Sequence, residues 1–307
     1  RPAISDGNDA ARPATLRGLS PDNVLVLVDG KRYHTSALVN YNPYVGRGSA
    51  PADLNSLPVS AIARIEVLRD GASAQYGSDA IAGVVNIVLK HGPTPGGNSI
   101  SANGGIMDKG DGAQNGIDGS IALPFGTTAG DTAPGWVRLS WNYQNSMDTN
   151  RSENTNRATT LAGAANPSGV PYQRHGDPNA TFYQGLAAFG YNVTPNVELY
   201  GHLSLSRREV TSNGYYRAYD NTDRNVQAVY PNGYLPQIYN PSNDRAAVLG
   251  VKGSTDNGWT WDVSADYGKN DVTFDLRNTI NTNLYWSTGA SPTRFNAGGF
   301  RNEQNAL

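Results

Sequence analysis

The chain contains 307 residues, of which 24 are basic and 26 acidic, so its net charge of −2 offers no polycationic surface for nucleic acid. It has no cysteine, which excludes a disulfide framework, a thiolate zinc site and cysteine catalysis. No segment reaches the ~18 apolar residues of a membrane-spanning helix, and the mean hydropathy of −0.50 alone is typical of a soluble β-rich protein.

Residues 1–92 alternate short aliphatic runs with glycine-rich turns, and this pattern predicts a small α+β domain. Val24–Val28 is continuously apolar, as in a strand that is buried on both faces. It runs into Asp29-Gly30, which is a favoured two-residue hairpin turn. Two further strands and one short helical turn are predicted at Ile62–Leu68, Val84–Leu89 and Ala72–Tyr76.

From residue 97 to residue 307, apolar and polar residues alternate, which predicts strands with one apolar and one polar face. Val137 and Leu139, for example, alternate with Arg138 and Ser140. About seven such strands are predicted, each close to the ~9–11 residues of a tilted strand that crosses a bilayer. They lie in segments 100–106, 117–125, 137–143, 183–193, 197–205, 247–251 and 259–267.

Two architectures share this alternation: a soluble sandwich or barrel with one wet face, and a β-barrel that spans an outer membrane. The connections favour the membrane barrel, because loops 148–180 and 210–244 are long and polar whereas 194–196 and 256–258 are tight turns. Aromatic residues near predicted strand ends suit a membrane interface: Phe125, Trp136, Phe182, Tyr191, Trp259 and Trp261. The pattern alone leaves both architectures open.

Three blocks of the first part occur in the order and spacing of a known family. They are residues 14–32, 53–58 and 62–90, and the third block is the densest. In them the sequence resembles the plug domain of TonB-dependent outer-membrane receptors, over about residues 12–90. The resemblance implies an α+β plug domain at 1–92 and, at 97–307, the first antiparallel transmembrane strands of a β-barrel that has about 22 strands in the family.

The family context implies active uptake of a scarce, bulky ligand across the bacterial outer membrane. Energy would come from TonB with its ExbB/ExbD complex, and the barrel would contact outer-membrane lipid and lipopolysaccharide. A ferric siderophore or similar iron complex is the commonest ligand; oligosaccharide, cobalamin or another nutrient is the alternative. The resemblance implies no cofactor. Because seven strands cannot close a barrel, we expect a fragment, with the start of the plug and the later strands missing.

Two arginines, Arg17 and Arg69, match the plug arginines that in the family pair with glutamates of the barrel wall. A guanidinium suits a bidentate hold on a carboxylate in a confined interface, so the resemblance assigns them to a plug–barrel lock. Their partners would lie on later strands. The alternative is that both arginines satisfy carboxylates or turn carbonyls of the plug itself.

The segment between the first two blocks supplies plug loops in the family that face the external vestibule. The ligand-binding residues predicted there combine aromatic faces with one cation: Tyr33, His34, Tyr41, Tyr44 and Arg47. An anionic ferric chelate would favour the cation, and a sugar would favour the tyrosine faces. The alternative is that these residues only order the loop.

A rival class is a secreted β-rich adhesin or enzyme. The sequence has no H-E-x-x-H, no P-loop, no G-x-G-x-x-G and no nucleophile elbow. Its four histidines are isolated from one another and have no metal-ligand spacing. We therefore predict no catalytic and no metal-binding residues, and a protein that is not an enzyme.

Overall fold

The computed structural model describes residues 10–40, 46–69, 72–93, 97–126, 134–152 and 174–307. They form two packed units. The first, which we call the N-terminal domain, ends at Pro93 and contains a four-stranded sheet. The second, which we call the long sheet, begins at Ser99 and contains eight antiparallel strands.

The sheet of the N-terminal domain has the strand order β2–β1–β4–β3. β1 is antiparallel to β2 and parallel to β4, and β3 is antiparallel to β4. All five residues of β1 are buried, because it is an interior strand with side chains packed against both of its faces; this confirms the prediction. The strands are β1 (Val24–Val28), β2 (Lys31–Arg32), β3 (Ile62–Leu68) and β4 (Gly83–Leu89).

The predicted hairpin turn and helical turn of this domain are both present. Asp29 and Gly30 have φ of 49° and 78°, and Val28 pairs with Lys31 across the turn. The helical turn is α1 (Ala72–Tyr76), and 3-10 turns lie at Pro21–Asn23, Leu54–Ser56, Val59–Ala61 and Ser78–Ala80. Within the described ranges, no helix is long and apolar enough to cross a bilayer.

The long sheet places its strands side by side in chain order, with β5 and β12 at its edges. Its strands are β5 (Ser99–Gly105), β6 (Gln114–Phe125), β7 (Gly135–Ser146), β8 (Asn179–Thr194), β9 (Val197–Asn213), β10 (Gln237–Ser254), β11 (Thr260–Arg277) and β12 (Phe295–Ala306). Seven strands were predicted, so β12 is a correction. Its sequence has no apolar–polar alternation, because each face carries one phenylalanine among polar residues and Gly298-Gly299 interrupts the strand. Its pairing with β11 identifies it as a strand.

The connections alternate in length, as predicted, but their bounds differ. β9 and β10 pair as far as Asn213 and Gln237, so their loop comprises residues 214–236 instead of 210–244. This happens because main-chain pairing continues through polar segments that carry no hydrophobic signal. The β7–β8 connection, predicted at 148–180, lies partly outside the described residues. The β11–β12 connection contains α2 (Thr282–Thr288), which was not predicted.

The two faces of the long sheet differ in the way the alternation predicts. The face toward the N-terminal domain, which we call the inner face, buries polar side chains: Ser120, Arg138, Ser140, Ser204, Arg208, Ser242, Asp244 and Asn270. The outer face exposes large apolar side chains: Ile117, Leu123, Leu139, Tyr183, Leu203, Leu205, Leu249 and Val263. A soluble sheet of this size buries apolar residues and exposes polar ones, so this sheet has the reverse arrangement.

Candidate functional site at the contact between the two units

The contact between the two units contains two apolar clusters, each with residues of both units. Val26 and Val28 of β1 belong to the main core cluster of the N-terminal domain. Leu186, Ala188 and Ala246 of the long sheet complete this cluster. A second apolar cluster joins Ala37 and Leu38 of the N-terminal domain to Val210 and Val272 of the long sheet. Polar side chains make the rest of the contact, and they are concentrated around two buried carboxylates.

The first carboxylate is Asp53 of the N-terminal domain. Its Oδ1 accepts hydrogen bonds from the backbone N–H groups of Arg12 (2.9 Å) and Asn55 (3.1 Å), which fixes it at the start of the 3-10 turn Leu54–Ser56. Its Oδ2 forms an ion pair with Arg208 of β9. Both side chains are 5% exposed, so the pair is shielded from water and each charge depends on the other.

The second carboxylate is Asp244, on β10 of the long sheet. It accepts hydrogen bonds from the Tyr33 hydroxyl (3.1 Å) and from Asn270 Nδ2 (3.0 Å), and it lies 2.9 Å from His34 Nε2. Burial, together with the charge of Asp244, raises the pKa of Tyr33 well above its ordinary value, so its hydroxyl remains a donor. Asp244 therefore holds the segment that follows β2.

Ser56 and Tyr33 lie between the two carboxylate residues. Its hydroxyl donates to the backbone carbonyl of Asp53 (2.7 Å), and the Tyr33 hydroxyl lies 2.7 Å from Ser56 Oγ. Tyr33 in turn contacts Asp244. Short polar contacts thus run from the Asp53 backbone to Asp244 across the interface, and the two hydroxyl protons of Ser56 and Tyr33 are shared among three contacts.

Neutral side chains of the long sheet bond to the backbone of the N-terminal domain around these carboxylates. Gln184 Nε2 donates to the carbonyl groups of Asn55 (2.6 Å) and Leu57 (3.1 Å). Asn270 Oδ1 accepts from the N–H of Ala37 (2.8 Å). Such contacts set the register between the two units beside their shared apolar clusters.

The β1–β2 turn is attached to the end of β4. Asp29 Oδ1 accepts from the N–H of Leu89 (2.9 Å), and Asp29 Oδ2 lies 2.8 Å from His91 Nε2. Burial opposes ionisation of Asp29, but the hydrogen bond and charge of His91 and the Leu89 N–H outweigh it and lower the pKa of Asp29. The His91 ring also stacks on Trp136 of β7, with centroids 5.5 Å apart.

Several cavities lie between the units in the described part of the chain, and a small one of about 90 Å³ lies beside Tyr33 and His34. Two of them are larger. One of about 230 Å³ lies on the side of the long loops, and one of about 310 Å³ lies on the side of the tight turns. The first is lined by residues that include Arg12, Gln114, Gln144, Asp177 and Phe182. The second is lined by residues that include Asp29, Lys31, His91, Trp136, Tyr200 and Asp262.

The predicted ligand-binding residues do not form one exposed loop. Tyr33 and His34 are buried at the contact, 6% and 5% exposed, and bond to Asp244. Their predicted position facing an external vestibule is therefore wrong, because the chain after β2 runs along the inner face. Arg47 is exposed, and its ligand contact stays a prediction. Tyr41 and Tyr44 lie outside the described residues.

The two arginines of the predicted lock are both exposed in this structure. Arg17 has a left-handed backbone, with φ of 57°, and Arg69 follows β3 at the edge of the domain sheet. Their pairing with glutamates of a barrel wall stays a prediction.

Sequence reasoning missed Asp53, Arg208, Asp244 and Asn270 as members of the site. The alternation along the strands did contain some information, because Arg208, Asp244 and Asn270 occupy positions whose side chains point to the polar face of the sheet. Only the three-dimensional pairing shows which of many such polar residues meet the N-terminal domain. Among the described residues, no group of three or more His, Asp or Glu side chains is arranged to hold a metal ion.

Comparison with known proteins agrees with this arrangement. Residues 2–84 match the family model described as TonB-dependent Receptor Plug Domain. The probable TonB-dependent siderophore receptor PirA of Acinetobacter baumannii is 46% identical over 79 residues, which are 26% of this chain and 10% of that protein. The vitamin B12 transporter BtuB of Vibrio cholerae is 38% identical over 93 residues, which are 30% of this chain and 13% of the transporter.

A solved structure extends the likeness in fold beyond the matched domain. The ferric enterobactin receptor PfeA of Pseudomonas aeruginosa, a Q482A mutant in complex with enterobactin, superposes with a TM-score of 0.51 at 20% identity. The superposition covers 89% of this chain and 42% of the receptor, so both units align with less than half of it. Residues 2–84 thus carry the plug domain of the TonB-dependent receptors, and eight antiparallel strands follow it in the part of the chain that the structure describes.

Proposed function

We propose that this protein takes up a ferric siderophore or a similar iron complex across the bacterial outer membrane, with energy from TonB and ExbB/ExbD. One observation carries the proposal: the N-terminal domain sits on a polar inner face while the outer face exposes large apolar residues. Lipid accepts an apolar surface only where all backbone groups are paired, and a sheet closed into a barrel satisfies this. Outer-membrane lipid and lipopolysaccharide are then its surroundings.

The ligand class rests on the siderophore receptor among the relatives and on the cavity beside the long loops. That cavity is lined by Arg12, and the exposed Arg47 is a second cation of the N-terminal domain. Two guanidinium groups suit an anionic ferric chelate. With Arg47, we assign Tyr41 and Tyr44 to ligand binding. The vitamin B12 transporter among the relatives supports cobalamin as a second candidate for the same transport chemistry.

The proposed mechanism is non-enzymatic. Ligand binds on the long-loop side, TonB pulls on the N-terminal domain, and the polar contacts described above exchange with water to open a path. Polar contacts suit this task because water replaces them at modest cost once they are exposed, whereas separating a large apolar interface has no such compensation. Arg17 and Arg69 act in this proposal as additional locks to the barrel wall.

An uptake assay tests the proposal. Cells that depend on this protein should accumulate radio-iron from ferric enterobactin when TonB is present and lose the accumulation when TonB is deleted. Labelled cobalamin is the parallel probe, and its uptake instead would move the protein to the second candidate. Localisation of the native protein outside the outer membrane, or uptake of neither probe by a correctly inserted receptor, would contradict the proposal for these ligands.

A further inference from the structure

Arg138 of β7 is a buried cation for which the function described so far has no use. Its side chain points from the inner face and the residue is 1% exposed. Its neighbours across the adjacent strands are Ala122 and Ala188, which leave room for the guanidinium. Among the described residues, no carboxylate forms an ion pair with it. Burying an arginine without a counter-ion is costly, so its remaining contacts must offset that cost.

Those contacts hold the connector between the N-terminal domain and the long sheet. Arg138 Nη2 donates to the carbonyl of Gly92 (2.6 Å), three residues after β4. Arg138 Nη1 donates to the carbonyl of Gly97 (3.0 Å), two residues before β5, and to Ser120 Oγ (3.0 Å). One guanidinium thus fixes both ends of the connector to the long sheet.

The neighbourhood of Gly92 adds to this attachment. Gly92 has a left-handed backbone with φ of 51°, so the chain turns sharply at the point that Arg138 holds. His91 stacks on Trp136, which lies two residues before Arg138 on β7. The N–H of Lys90 donates to the carbonyl of Ala61 (2.8 Å), which ties the same segment back to the N-terminal domain.

We propose that Arg138 is a positioning residue for uptake: it clamps the C-terminal end of the N-terminal domain to the long sheet while the rest of the domain moves. This inference rests on the proposed function. The carboxylate contacts of Asp53 and Asp244 join side chains of the two units and break when the domain shifts. The clamp binds backbone carbonyls of the connector itself, so it can persist through the movement and give the domain a fixed pivot.

The test compares three variants of the native protein in the outer membrane. Arg138→Gln removes the positive charge and the planar set of guanidinium N–H donors. Arg138→Lys keeps the charge but cannot donate to two carbonyl groups in the same geometry. Arg245→Gln, at an exposed arginine on the outer face of β10, is the matched control. The readouts are hydrogen exchange of peptide 90–99, affinity for ferric enterobactin, and the initial uptake rate per receptor.

With Arg138→Gln we expect exchange in peptide 90–99 to rise by about 10-fold, because charge-assisted hydrogen bonds are lost. Affinity should stay within about 2-fold of wild type, since the clamp is not at the ligand cavity, while the uptake rate falls several-fold. Arg138→Lys should give smaller changes in both the exchange of peptide 90–99 and the uptake rate, and Arg245→Gln should change neither quantity. If Arg138→Gln does not reach the membrane, Arg138→Lys carries the same comparison with smaller changes.

Unchanged exchange in peptide 90–99 would overturn the clamp. Raised exchange with an unchanged uptake rate would overturn its role in uptake, and a parallel loss of affinity and uptake would show a general structural defect instead. Absence of uptake in the wild-type protein would contradict the proposed function, and the exchange measurement would still decide whether Arg138 holds the connector.

Discussion

Arg207 and Arg208 are neighbours on β9, and they point to opposite faces of the long sheet. Arg208 is buried on the inner face and forms an ion pair with Asp53, whereas the side chain of Arg207 is 52% exposed and pairs with Glu209 on its own strand. An arginine therefore connects the two units at position 208 and lies on the exposed surface at position 207. Period-two geometry alone produces this difference.

The comparison extends to the whole sheet. Polar residues of the inner face are buried because the N-terminal domain covers them, and apolar residues of the outer face are exposed because none of the described residues covers them. How much a side chain of the long sheet contributes to stability thus depends more on the face to which it points than on its residue type. Substitutions on the two faces offer direct ways to test this rule.

The largest effect is expected for Arg208→Ala, which leaves the Asp53 carboxylate buried without its partner. Removal of one member of a buried ion pair typically costs about 3–5 kcal/mol, and here the cost falls on the attachment of the N-terminal domain. Urea titration followed by hydrogen exchange of the domain measures it. Arg207→Ala, the matched control, should cost under about 1 kcal/mol because its pair is exposed. Equal losses of stability for the two substitutions would contradict the claim that arginines on the two faces contribute differently.

On the outer face, Leu249→Arg should cost about 2–4 kcal/mol, because the charge would enter the apolar band of the sheet. Unfolding of the membrane-inserted protein measures the loss. Arg245 stands four residues away on the same face, where it pairs with Leu205 and Lys269. Arg245→Lys, which keeps a cation at that position, is the control. An unchanged unfolding free energy for Leu249→Arg would show that the outer face meets water.

A smaller loss, of about 1–3 kcal/mol, is expected for Asp244→Asn on the inner face. The amide keeps one acceptor but loses the charge that accepts from Tyr33, Asn270 and His34. Hydrogen exchange in the segment around residues 33–37 should rise while exchange in β1 changes less. Protection of that segment equal to wild type would show that Asp244 does not hold it.

The smallest effect concerns acid sensitivity at the tight-turn side. Because the pKa of Asp29 in the folded protein lies below its ordinary value of 3.8, the stabilisation it gives is complete above that value. It is lost as the pH falls through the folded-state pKa. Asp29→Asn should therefore flatten the decline of domain stability below about pH 4, as measured by urea midpoints across pH. An unchanged decline would assign the acid sensitivity to other groups.

Much of the fold follows from local sequence signals. The apolar run of β1, the Asp29-Gly30 turn and the alternation along β7 or β9 are each legible within a few residues. β12 was missed because its polar and glycine residues carry no alternation, and its existence depends on pairing with β11. Loop bounds were wrong for a related reason, since backbone pairing extends strands beyond their apolar part.

The candidate site was harder to predict than the fold. His34 and Asp244 are 210 residues apart, and their contact depends on how the N-terminal domain seats against β10. Tyr33 and His34 follow a short strand in a polar segment, which from sequence looks the same whether it lines a vestibule or a buried contact. The sequence pattern does not show how the N-terminal domain aligns with the strands of the long sheet, and this alignment decides which residues meet.

The hydroxyl of Ser56, placed between Tyr33 and the backbone of Asp53, has a consequence for how the contact gives way. Groups that share a hydrogen-bonded chain polarise one another, and their free energies are coupled. A shift of the Asp53 backbone therefore weakens the contact between Tyr33 and Asp244. The contacts around Ser56 therefore act as one cooperative unit, which we expect to give way together while the connector stays attached at Arg138.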